Sequence, residues 1–141
     1  MTDYSNACIY KIVCKDTNVK EIYVGSTTNF RVRLNGHKSS CCNKKSAKYN
    51  YKSYEFIRNN GGWDNWEMVK IKDVINCLDR YSIKKAEREL IDELKPSLNI
   101  TTPNRTTTDW RNDNKDRVRE CCREATRRYR KKKLIQSSSL E

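Results

Sequence analysis

A chain of 141 residues that is 35% hydrophobic and 34% charged has room for one domain with a modest core and a small appendage. Its 30 Lys and Arg against 18 Asp and Glu leave a net charge of +12, more than solubility needs, which points to a polyanion, nucleic acid foremost. No apolar run approaches the roughly 20 residues that span a bilayer, and MTDYSNACIYK lacks the pattern of a signal peptide, so no membrane partner and a reducing intracellular compartment, cytoplasm or nucleus, are expected.

Two β-favouring runs, ACIYKIVC (7–14) and EIYVG (21–25), flank the polar KDTNVK and predict a hairpin. TTNFRVRLNGHK then predicts a helix capped by Thr27 or Thr28. Phe30 and Leu34 fall on one face, Arg33 and His37 on another, and Gly36 weakens the last turn. SSCCNKKSAKYN reads as a polar loop, and YKSYEFIRNNGG (51–62) as a short helix stopped by Asn-Gly-Gly. In DNWEMVKIKDVIN (64–76), alternation at Trp66, Met68 and Ile71 predicts a third strand. SIKKAERELIDELK (82–95) predicts a helix capped by Ser82, with Ile83, Ala86, Leu90, Ile91 and Leu94 on the core stripe, Glu87 at its edge and Pro96 as the stop. The expected fold for residues 1–101 is α/β of the α+β kind: a small three-stranded, mainly antiparallel sheet flanked by helices.

Beyond it, residues 102–109 read as a threonine-rich linker, 110–136 as a basic amphipathic helix and 137–141 as a disordered tail. Residues 110–133 hold 11 Lys and Arg against 4 Asp and Glu. Trp110, Val118, Cys121 or Cys122, Ala125 and Tyr129 form only a thin apolar stripe. We expect this helix to grip phosphates through Arg127, Arg128, Arg130, Lys131, Lys132 and Lys133, with Arg31 and Lys38 contributing from the core. Self-association through Trp110, Val118 and Tyr129 is a second reading and a bilayer-surface helix a third. The seven cysteines are odd in number and include two adjacent pairs, which suits free thiols better than a disulfide framework. Zinc is disfavoured, since there is no C-x-x-C and only one histidine.

Tyr10 in the first strand, Tyr23 in the second, Arg33 and His37 in the helix that follows, Glu87 in the last core helix and Asn99 in KPSLN stand in a particular order. With Cys8-Ile9-Tyr10 and Tyr23-Val24-Gly25, that order resembles the GIY-YIG nucleases over residues 7–101. Cys8 replaces the first glycine of the family name, and Val32 stands where a lysine often precedes the arginine. The resemblance implies a metal-dependent DNA endonuclease, a monomer or weak dimer, that leaves 5′-phosphate and 3′-hydroxyl ends. Glu87 would hold one Mg2+ or Mn2+, Arg33 would stabilise the phosphate, and Tyr10 would act as general base. Tyr23 would orient water or phosphate, His37 relay a proton, and Asn99 fix the site. The alternative is a nucleic-acid-binding module of the same fold that has lost cleavage.

Overall fold

The computed structural model describes residues 3–138. Strand β1 (Cys8–Cys14) is the centre of a three-stranded sheet, paired antiparallel with β2 (Tyr23–Thr27) on one side and β3 (Trp66–Asp73) on the other. Side chains alternate between the faces of a strand, so β1 serves two cores. Tyr10 and Ile12 pack with Cys41 of α1 (Phe30–Cys42), Tyr54 and Ile57 of α2 (Lys52–Asn59), Trp63, Trp66 and Met68. Ile9 joins Ala7, Val24 and Cys77 against Ile83 and Ile91 of α3 (Arg80–Leu94). A strand covered by helices on both faces reads as a continuous apolar run, as IYKIV nearly does.

Several boundaries differ from the sequence reading, each for a local reason. Asn29, not Thr27 or Thr28, caps α1, its side chain accepting from the Val32 amide; Thr27 instead accepts from the Asn29 amide. The helix continues through Ser39–Cys42, where buried Cys41 gives the polar run an apolar anchor. A 3-10 turn at Trp63–Asn65 precedes β3, entered from Gly61 and Gly62 at φ +90° and +73°, a region that favours glycine. Between Ile9 and Tyr10 the register with β3 slips from Lys72 to Lys70, so Ile71 faces no partner and is exposed, and the burial alternation stops at Met68.

Helix α3 is capped by Asp79, which accepts from the Ser82 amide, so Ser82 lies inside the helix rather than at its cap. Its buried row is Ile83, Glu87 and Ile91, while Leu94 is exposed; the acid placed at the stripe's edge lies within it.

The chain divides into two units after Asn104. In the second, a capping box between Thr106 and Asp109 starts α4 (Thr107–Asp113), so the expected linker of residues 102–109 already contains a helix start. The expected helix over 110–136 is interrupted at Asn114, and α5 (Lys115–Ser138) extends into the segment assigned to a disordered tail, of which residues 139–141 lie outside the described residues. Val118 is half-buried, and Cys121, Cys122, Ala125 and Tyr129 are exposed. Arg127, Arg128, Arg130, Lys131, Lys132 and Lys133 are exposed too, as are Arg31 and Lys38 on α1. Among the described residues no helix is long and apolar enough to cross a membrane, and the seven cysteines carry free thiols.

Candidate active site

Tyr10 pairs with Gly25 across β1 and β2. An alanine Cβ at position 25 would sit 2.5 Å from the Tyr10 hydroxyl oxygen, so the glycine supplies room for that hydroxyl, not an unusual backbone angle. From α1, Arg33 Nε donates to the Tyr10 oxygen at 2.8 Å. One turn on, His37 Nε2 lies 2.7 Å from the same oxygen, and its Nδ1 lies 2.9 Å from the Tyr54 hydroxyl. The imidazole is 3% exposed and runs parallel to the Trp63 ring, with 8° between the planes. Tyr23 packs on both partners, its ring 6.4 Å from that of Tyr10 and 5.6 Å from that of His37.

Glu87 reaches the same edge strand from the other side. Its carboxylate, 5% exposed, accepts from the Ser26 hydroxyl at 2.5 Å and from the Lys84 ammonium at 2.6 Å. Asn99 makes a two-point clamp on Val24: its amide nitrogen donates to the carbonyl and its oxygen accepts from the amide, both at 2.8 Å. It therefore holds β2 in place between Tyr23 and Gly25.

Burial governs the protonation states. It pushes the Tyr10 phenol far above its ordinary value, aided by neighbouring Tyr23, with Arg33 opposing. Tyr23 is raised by burial as well, although Arg33 favours its ionised form and Glu87 disfavours it. Burial, then the charges of Arg33 and Lys48, lowers the His37 pKa to about 3, so the ring is neutral at pH 7. The site thus holds two neutral phenols and a neutral imidazole beside one guanidinium. The lowered tyrosine pKa that a general base needs is absent from this resting arrangement.

Tyr23 lines two cavities, one of about 600 Å3 with Lys84, Glu87 and Asn99, and one of about 200 Å3 with Arg33, His37 and Tyr54. Tyr10 is 0% exposed and lines neither. Another cavity, of about 760 Å3 beside Lys70, Asp73 and Cys77, contains none of the six residues. All six sequence-derived residues thus lie around β2 with their side chains engaged or cavity-facing, Asn99 through its clamp on Val24. Sequence reasoning missed Ser26, Tyr54, Trp63 and Lys84. Ser26 follows the YVG triplet directly and Lys84 precedes Glu87 by one helical turn, signals that were available; nothing local marked Tyr54 or Trp63.

Cys8, at the position of the missing glycine, is buried in ordinary strand backbone without a positive φ, so the side chain is accommodated there. Val32, in place of the lysine, is exposed on α1.

Neither a curated protein nor a solved structure matches the chain. The family model for the GIY-YIG catalytic domain matches residues 6–99, from just before β1 to the Asn99 clamp. That span holds the whole sheet, its three covering helices and the cluster around β2, and the chain belongs to the GIY-YIG catalytic domain family.

Proposed function

We propose that this chain is a metal-dependent DNA endonuclease that hydrolyses phosphodiester bonds to 5′-phosphate and 3′-hydroxyl ends. The family is one of nucleases in general. The observation that carries the finer reading is Tyr23, which lines one cavity with the Arg33 guanidinium and a second with the buried carboxylate of Glu87.

Cleavage needs a proton taken from the attacking water, charge balance for the phosphorane oxygens and stabilisation of the leaving oxygen. Arg33 donates from Nε to Tyr10 and lines the smaller cavity beside Tyr23, and a guanidinium with five N–H groups has further donors to offer phosphate oxygens there. Because Tyr10 is wholly buried and Tyr23 lines both cavities, we assign the water-facing hydroxyl to Tyr23 and place Tyr10 behind it, the reverse of the roles the resemblance implied.

Glu87 suits the single divalent ion, Mg2+ or Mn2+, that such nucleases typically use. Its carboxylate already carries one cation, the Lys84 ammonium, and faces a polar cavity. Among the described residues no three His, Cys, Asp or Glu cluster to hold a metal, and Mg2+ is characteristically bound by one or two carboxylates together with phosphate oxygens and water. When bound, the ion would polarise the phosphate and neutralise the leaving oxygen.

Arg127, Arg128, Arg130 and Lys131 to Lys133 on α5, with Arg31 and Lys38 on α1, are the phosphate contacts of this reading, supported by their exposure and charge.

Incubation of the protein with plasmid and branched DNA in Mg2+ or Mn2+ tests the proposal. Wild type should cut, its products should be joined by a ligase that requires 5′-phosphate and 3′-hydroxyl ends, and Glu87→Gln and Arg33→Ala should each lose about 100-fold or more in rate. Salt-sensitive DNA binding without cleavage by any preparation would replace the enzyme with a binding module of the same fold.

A further inference from the structure

Tyr54 belongs to α2, and the nuclease reading gives it no part, yet it supplies the polar contact at the far nitrogen of His37. The hydrogens in this buried network obey strict arithmetic. Arg33 can only donate, so it occupies one lone pair of the Tyr10 oxygen. A neutral imidazole has one N–H and one lone pair, and burial beside Arg33 and Lys48 keeps this ring neutral.

Two arrangements satisfy the measured contacts. In one, His37 Nδ1–H donates to the Tyr54 oxygen and the Tyr10 hydroxyl donates to Nε2. In the other every hydrogen reverses: Tyr54 donates to Nδ1, and Nε2–H donates to a Tyr10 oxygen that already accepts from Arg33. The Tyr10 hydrogen must then turn toward Tyr23, whose ring packs on that of Tyr10, and Tyr23 would aim its own hydrogen outward. Only the first arrangement leaves Tyr10 able to accept from Tyr23, so that the Tyr23 oxygen presents lone pairs to the cavities it lines. An oxygen meant to receive a hydrogen bond from the attacking water requires that order.

We propose that Tyr54 is a positioning residue that acts as the acceptor at Nδ1 and so holds His37 in the Nδ1–H tautomer, and that this lock turns the hydroxyl hydrogens of Tyr10 and Tyr23 away from the cleft. The choice of this order over its reverse rests on the nuclease reading, whereas the tautomer itself can be observed in the folded chain without any cleavage. Trp63, parallel to the imidazole, holds the ring plane in which both nitrogens point along the chain of contacts.

His37 is the only histidine, so 15N-histidine labelling reports a single ring without assignment. Long-range 1H–15N correlation at pH 7 should show a protonated Nδ1 and a bare Nε2 in the wild type. Tyr54→Phe removes the acceptor while keeping the ring, and should move the proton to Nε2. In cleavage assays it should lower kcat by about 10-fold or more, as loss of an orienting partner does, with KM nearly unchanged. A wild-type ring protonated at Nε2 overturns the inference without any variant. So does a Tyr54→Phe protein with unchanged tautomer, or one whose tautomer switches while kcat stays at the wild-type value. If the tautomer behaves as expected and the wild type cuts no DNA, the lock stands and the nuclease reading falls.

Discussion

Gly25→Ala is the sharpest perturbation the structure offers. The added Cβ would lie 2.5 Å from the Tyr10 hydroxyl oxygen, 2.6 Å from its Cζ and 3.0 Å from Cε1 of Tyr23. Favourable contacts between carbon atoms begin near 3.5 Å, so the Tyr10 ring has to retreat by about 1 Å. Tyr10 is fully buried with nowhere open to go. Overpacking of this kind costs about 1–3 kcal/mol, and drawing the hydroxyl away from Arg33 and His37 forfeits buried hydrogen bonds worth about 1 kcal/mol each. A total near 2–4 kcal/mol should lower Tm by on the order of 10–20 °C for a unit of this size. Thermal unfolding followed by circular dichroism measures it, and the single histidine's ring signals report whether Tyr10 has moved. The cause can be isolated by repeating the substitution in a Tyr10→Leu background, where the colliding atoms are gone. The two changes should then couple by about 1 kcal/mol or more. A Gly25→Ala protein that melts within about 2 °C of wild type, with His37 undisturbed, would refute the claim that this glycine exists to make room.

Three further outcomes follow from the same geometry. The His37 pKa of about 3 lies below the 6.5 of an unperturbed imidazole. The unfolded chain therefore binds the extra proton between those values, and stability, full above about pH 6.5, falls as the medium is acidified, by up to about 1.4 kcal/mol per pH unit. The difference between wild type and His37→Gln in denaturant titrations should shrink accordingly from neutral pH toward about pH 4, and a pH-independent difference would contradict it. Lys84, with its side chain 32% exposed, holds the carboxylate a divalent ion would use. At about 1 kcal/mol for such a partly screened pair, Lys84→Met should bind Mn2+ roughly 3–10-fold more tightly in calorimetry without DNA, and equal or weaker binding would remove Lys84 as a competitor. Truncation after Asn104 should leave the first unit folded, weaken DNA binding and flatten the salt dependence by about one unit of slope for each lost phosphate contact. Unchanged affinity at low salt would show that α5 is not a DNA anchor.

The family's order of residues was legible in the sequence because β1, β2 and α1 follow one another closely. Period-two and period-3.6 patterns order these residues within each element, and the structure brings the Tyr10, Tyr23, Arg33 and His37 side chains into one group of contacts. Glu87 was found by its place in KAERELIDEL, but its burial was misjudged. Helical spacing puts it in line with Ile83 and Ile91, and a carboxylate in such a row is unexpected unless something neutralises it. What neutralises it is Lys84 one turn away and Ser26 on another element. Ser26, like Tyr54, acts through a tertiary contact, and local periodicity carries no information about such partners. Ile71 misled because a bulge in register depends on both strands, and the end of α1 was missed because a buried cysteine was counted among polar neighbours.

The Asn99 clamp has a further consequence for how this small sheet survives in solution. Strand β2 ends the sheet, and an open strand flank invites pairing with other chains. By offering one donor and one acceptor to Val24, a single amide side chain imitates the neighbouring strand that the topology omits. The Leu98 amide extends the imitation to the Ile22 carbonyl. The last residues of the family match thus occupy the hydrogen-bonding groups of this flank that another chain would otherwise pair with.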